Sequence, residues 1–203
     1  RQEPDPNDLR PTFSVYVADN TNSARIPEIR LLTLGSRERP GSSLRARPGR
    51  PAPEPVRGGS ALVAFPTNGG PVQVFDHIRL TPRQDGWKVR LHPDAPYLGM
   101  TTVNVVYQGV PRWLLSEYLG YELFRRASVA TPLAGHFRTW VDGQPVGYAL
   151  YVEQPNGSFL RRVGRDPDGN LYKILWYEQG LEGQHEKKNN PRSGHDDLRS
   201  VVQ

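Results

Sequence analysis

The chain contains no cysteine. That absence excludes disulfide staples, thiolate-held metals and cysteine nucleophiles together. It also lacks any apolar run near the roughly 18 residues that a membrane-spanning helix needs. The opening residues RQEPDPNDLRP have no apolar stretch of the kind a signal peptide carries, and no initiator Met precedes them. A processed chain, or a piece excised from a longer one, is expected to begin this way. No GxxxxGK[ST] phosphate loop and no GxSxG elbow occurs. His185, His195, Asp196 and Asp197 lie in a polar, turn-rich run whose spacing matches no familiar metal-ligand set, so no metal site is assigned to them. Apolar residues are also scarce, at 36% against 20 Gly and 20 Pro. Part of the chain should therefore be loop around one full domain, or one domain and a smaller appendage.

Charge is plentiful but mixed. The net charge of +5 comes from 26 Lys and Arg set against 21 Asp and Glu. Along the sequence the cations scatter through turns and helix ends, as on a solvated basic surface, whereas a nucleic-acid footprint clusters on one face or along one helix. Neither a nucleic-acid partner nor membrane insertion is expected.

FSVYVAD (Phe13–Asp19) alternates at period two and EIRLLTLG (Glu28–Gly35) reads as a second strand, so residues 1–35 form a small β-rich arm or the end of a preceding module. Residues 36–59 are rich in Pro, Arg and Gly and read as a linker or loop. Residues 60–203 hold the main unit. Ala61–Pro66, Val72–Leu80 and Gly86–His92, separated by turn clusters, predict an antiparallel meander, with Val103–Tyr107 as a further strand. A helix begins near Pro111; Leu115, Leu119 and Leu123 recur at i+4, with Tyr118 and Trp113 widening the stripe, and Arg125 and Arg126 close it. Asp142-Gly143 between apolar runs signals a hairpin. Asn156-Gly157-Ser158 reads as a turn between strands, and Ser193 or Asp196 as the cap of a last helix carrying Leu198, Val201 and Val202. The fold class expected is α+β: a mostly antiparallel sheet with one principal helix packed on a face.

Two charged residues inside strand-like runs pose a physical question. Alternation in NLYKILW puts Lys173 on the face of Leu171 and Leu175, where an ammonium must snorkel or find an anionic partner. Glu153, ending the previous strand, is the partner expected. The pair is either a structural ion pair or one side of a cleft that holds a phosphate-bearing ligand. Lys88, on a strand behind the Gly-containing turn PRQDG, offers a second cation for the same ligand.

The series LLSEYLGYELFRR, VDGQPVGYALYVEQ and GNLYK resembles the spore-coat protein H (CotH) kinase-like family. That family shows a helix of the LxxxLAYEL type, a strand pair around NGxxxGxYxLVEQ, and then GNLYK. The resemblance runs from Val72 to the C-terminus, with GWKVRL standing for the family's basic strand. It implies an atypical protein-kinase-like fold that binds ATP with Mg²⁺ between two lobes and phosphorylates Ser in coat or secreted proteins. Lys88, Glu153 and Lys173 would then belong to the smaller, nucleotide-covering lobe. A protein substrate is the implied partner, and a bacterial cell envelope, spore coat or secreted location the implied setting. The family's RGNSS-type loop is not recognisable in RLTPRQDGWK, and its Asn-containing and WDxD-like segments do not occur. Phosphoryl transfer needs carboxylates for the acceptor hydroxyl and the metal. The expectation is therefore an N-terminal portion without catalytic residues or metal site, inactive alone. The alternative is a non-catalytic β-rich binding or surface module.

Overall fold

The computed structural model describes residues 26–33, 56–67, 70–107, 115–174, 185–190 and 192–202. The strand expected at Phe13–Asp19, most of the 36–59 segment, Pro111, Trp113 and Leu175 lie outside the described residues.

Seven strands close into a barrel in the order β1, β2, β3, β4, β5, β7, β6. They are β1 (Glu28–Leu32), β2 (Val56–Phe65), β3 (Gln73–Arg83), β4 (Gly86–Arg90), β5 (Thr102–Val106), β6 (Ala134–Val141) and β7 (Gln144–Glu153). The meander from β2 to β5 forms as the alternation predicts, each strand antiparallel to the next. β7 then pairs with both β5 and β6. Closure comes from β1, antiparallel to β2 and parallel to β6, with Glu28 opposite Arg138. Ile29 and Leu31, from the stretch read as an arm, are fully buried in the barrel core.

The Asp142-Gly143 hairpin forms, with φ of 49° and 77° at the two residues. Asp142 also reaches beyond its own turn. Thr33 donates to its carboxylate through its N–H at 2.7 Å and its hydroxyl at 2.5 Å. This fastens the end of β1 to the β6–β7 turn. A tight turn between β4 and β5 plugs the interior. Tyr97 and Met100 exchange backbone hydrogen bonds of 3.1 and 2.9 Å across Leu98 and Gly99, both at positive φ. The turn sends two buried side chains inward, where Tyr97 meets Phe75 edge-on at 5.7 Å and Phe137 at 5.8 Å. Burial, then the neighbouring Tyr151, pushes the Tyr97 phenol up to about 12. Each such large apolar side chain contributes about 1.5–3 kcal/mol by leaving water.

The expected α+β arrangement, and with it the kinase-like lobe that the resemblance implied, is thus corrected: the molecule is mostly β, a closed barrel rather than a sheet with a helix packed on one face. The helix does form, as α1 (Ser116–Arg126), but it has no buried residue. Leu115, Leu119 and Leu123 are 54%, 56% and 67% exposed. The reason is geometric. A sheet closed on itself buries its inner face with its own side chains and leaves no open inner face for a helix to cover. α1 touches the barrel mainly through Tyr118, edge-on to His136 of β6 at 5.3 Å. Leu119→Ala should consequently cost less than about 1 kcal/mol in urea unfolding, as for surface changes. A loss of about 2–5 kcal/mol, the scale of a core truncation, would show this face to be buried.

Four smaller elements complete the described chain. α2 (Gly157–Arg162) replaces the turn expected at Asn156–Ser158, β8 (Tyr172–Ile174) pairs antiparallel with β9 (His185–Lys187), and α3 spans Asp196–Val202.

Candidate functional site

Alternation along β7 sends Ala149, Tyr151 and Glu153 to the barrel interior, where Tyr151 stacks on Phe137 at 4.3 Å. Glu153 is the last of the three and is fully buried at the barrel mouth. Its carboxylate accepts from the Leu133 N–H at 3.0 Å and from Arg162 Nε at 3.0 and 3.1 Å, and it also pairs with Arg162 Nη2. The same Nη2 donates to the Thr131 carbonyl at 2.9 Å. The partner expected for Glu153 was Lys173; the structure supplies Arg162 instead.

That substitution follows from α2. Asn156 caps the helix by accepting from the Ser158 and Phe159 N–H groups at 2.9 and 3.2 Å. The Ser158 hydroxyl lies 3.0 Å from that of Thr101 on the barrel. Phe159 and Leu160 are buried, and the end of the helix carries Arg162 back over Glu153. The sequence holds the signal for this: Asn followed by an apolar pair and two arginines is a capped helical turn.

Lys88 stands on the other side of the barrel wall. On β4 the core residues are Trp87 and Val89, so Lys88 and Arg90 point outward. Lys88 sits opposite Asn104 of β5, whose side-chain amide donates to Gln154 Oε1 at 3.3 Å. Lys88 is half-buried, and its ammonium is held below the usual lysine range by that burial, then by Arg90, Arg83 and Lys188. Glu186 opposes the shift.

Lys88 therefore feels the β8–β9 hairpin formed by the GNLYK segment. In that hairpin Lys173 is exposed and directly opposite Glu186, which pairs with Lys188. Directly opposed residues share a face, so Lys173 and Glu186 stand together there, with Lys188 drawn to them by its ion pair. Lys88 is thus within electrostatic range of Glu186, the residue opposite Lys173, while Glu153 lies on the inner side of the barrel wall. Lys173 does not occupy the core position that alternation suggested, because the two-stranded hairpin leaves this face to solvent.

The hairpin is held from below by polar contacts. The Tyr172 hydroxyl donates to Asp197 at 2.6 Å and the Asn170 side chain at 2.7 Å. These two bonds hold the Asp197 carboxyl at about 2, and partial burial with the Asp197 bond pushes the Tyr172 phenol to about 12. Lys187 donates to Ser193 Oγ at 2.5 Å and to the Gly194 carbonyl at 2.9 Å. An open depression of about 570 Å³ beside them is lined by Asp168, Asn170, Asn190, Arg192 and Ser193. Asp197, which in the sequence marks only the start of a helix, is thus the residue that anchors GNLYK to α3.

The sequence profile of the family described as CotH kinase protein matches residues 76–200, more than half of the chain. The chain belongs to the CotH family. The matched CotH region starts within β3 and ends within α3, so it takes in the strand of Lys88, the β7–α2 latch and the GNLYK hairpin. β1 and β2 precede it, although they close the same barrel. A search of curated proteins returns no match. Among the described residues of this CotH chain, no helix is long and apolar enough to cross a membrane.

Proposed function

We propose that this CotH-family chain takes part in ATP-dependent phosphorylation of serine in a protein substrate. In this reading Lys88 and Lys173 meet the nucleotide's phosphates and Glu153 anchors the wall behind them. The observation that carries it is the setting of Lys88, a half-buried lysine with Arg90, Arg83 and Lys188 around it and Glu186 of the hairpin within electrostatic range. An incoming phosphate relieves the burial and repulsion that weaken the charged form of such a lysine. The residues suit the anion. Bound ATP would supply the transferable phosphoryl group, and the chain's own cations would orient its oxygens. Among the described residues no three His, Asp or Glu side chains gather to hold a metal ion, so these residues do not by themselves make a Mg²⁺ site.

Calorimetric titration with ATP and Mg²⁺ tests the proposal. Lys88→Met should weaken binding about 10–100-fold, the value of about 1.5–3 kcal/mol for a charge-assisted contact, with its melting temperature unchanged. Lys173→Met should weaken it less, because its ammonium is exposed. Equal affinity in wild type and Lys88→Met would sink the assignment. A second reading, a non-catalytic β-rich binding module, is favoured by the closed barrel with its filled interior. It predicts no heat of nucleotide binding at all.

A further inference from the structure

The outer face of β3 and β4 collects cations that are dispersed in the sequence. The register sets Arg79 directly opposite Arg90, Thr81 opposite Lys88, and Arg83 opposite Gly86. Arg79, Arg83 and Arg90 are all exposed, and Leu80, Trp87 and Val89 turn the intervening positions inward. Like charges directly opposed across a sheet disfavour the fold, so the Arg79–Arg90 pair does not serve stability. The acids nearby offset the row only in part: Glu186 acts on Lys88 but is paired with Lys188, and Asp85 sits at the tip of the β3–β4 turn.

We infer that this face is a docking strip for an extended acidic peptide segment of a partner protein. The spacing carries the choice. Alternate residues of a strand are about 6.8 Å apart, so the three rungs Arg79/Arg90, Lys88 and Arg83 span about 14 Å. Alternate side chains of an extended peptide repeat at the same interval, which brings carboxylates at i, i+2 and i+4 onto successive rungs. Single-stranded nucleic acid needs aromatic platforms on which bases stack. The outward positions here are instead Arg79, Thr81, Arg83, Lys88, Arg90 and Asn104. Burial first, then Arg90 and Arg83, lowers the Lys88 ammonium, so these three cations of the face lie within electrostatic range of one another.

The inference goes beyond the nucleotide reading: Arg79 has no part in that reading, whereas Arg90 is one of the cations around Lys88. Fluorescence anisotropy with a labelled decapeptide of alternating Glu and Thr tests it on the full chain at low salt. Wild type should bind, and affinity should fall steeply between about 0.05 and 0.3 M salt. Arg79→Ala with Arg90→Ala should cut affinity at least about tenfold, with the melting temperature unchanged or raised because repulsion is removed. A peptide of equal charge with its five Glu in one block should bind more weakly. Unchanged peptide binding in the double variant, or equal binding of alternating and blocked peptides, overturns the strip. So does an oligothymidylate of equal charge that binds more tightly and is lost with the same arginines. ATP titration of Arg79→Ala alone separates the two ideas: retained nucleotide affinity with weakened peptide binding supports the strip independently. Failure of ATP binding in wild type leaves the peptide result to stand or fall alone.

Discussion

Gly86→Ala should leave almost no folded protein, with a loss beyond about 4 kcal/mol, in the range reserved for specific backbone or core failures. Gly86 starts β4 at φ +148°, and a Cβ built there lies 1.9 Å from the Val105 carbonyl oxygen and 2.9 Å from its carbon. The obstacle is the backbone of the paired strand β5, so no rotamer change relieves it. Opening the β4–β5 pair would break the wall of the barrel and expose Trp87, Val89, Val103 and Val105. Gly99→Ala is the control. It too has a positive φ, +81°, but nothing lies within 4 Å of its built Cβ. There the cost should be only the left-handed strain of about 1–2 kcal/mol. Urea unfolding and soluble yield compare the two, and similar behaviour would show that the β4–β5 approach is looser than described.

The second large effect is expected at the barrel mouth. Arg162→Met removes the guanidinium that covers a fully buried carboxylate and leaves Glu153 with the Leu133 N–H. Breaking one side of a buried pair costs about 3–5 kcal/mol, because the remaining charge stays desolvated and unpaired. The loss should include α2, since Arg162 also ties that helix to the Thr131 carbonyl. The double variant Glu153→Met with Arg162→Met should recover much of it, as replacement of both charges by apolar groups often does. A double variant as unstable as the single one would mean that α2 docking, rather than charge pairing, dominates.

The strands were largely legible because alternation is a local property. β3, β4, β5 and the β6–β7 hairpin appear where period two and the Asp142-Gly143 turn indicate them. The position of α1 was legible for the same reason, from the i+4 recurrence of Leu115, Leu119 and Leu123. Its surroundings were not: an amphipathic stripe states which face is apolar, and whether anything covers that face depends on how the sheet closes. α2 was hidden behind Asn156-Gly157, which suits a turn and a helix start equally well. β9 was missed because HEK carries no β-branched or aromatic residue; cross-strand pairing with Tyr172–Ile174 selects it.

The candidate site divides along the same line. Period two assigns Glu153 to the inner face of β7, and family resemblance singles out Lys88, Glu153 and Lys173 together. Which cation reaches Glu153 depends on the path after the strand, and a capped turn of α2 returns Arg162, nine residues on, before Lys173 is reached. The gathering of Arg79, Arg83, Lys88 and Arg90 was likewise beyond the sequence, which shows them as scattered charges among acids. The hairpin register of β3 and β4 brings them side by side.

By itself, the sequence determined the absence of cysteine chemistry, the places of most strands and of one helix, and the motifs of the CotH family. The tertiary structure decided that the sheet closes through β1, that the helix stays outside, that Glu153 belongs to Arg162, and that Lys173 stands opposite Glu186 in a hairpin. The physical reason is range. Periodicity and turn chemistry act within a few residues, whereas closure, ion pairing and charge clustering depend on contacts between segments far apart in the chain.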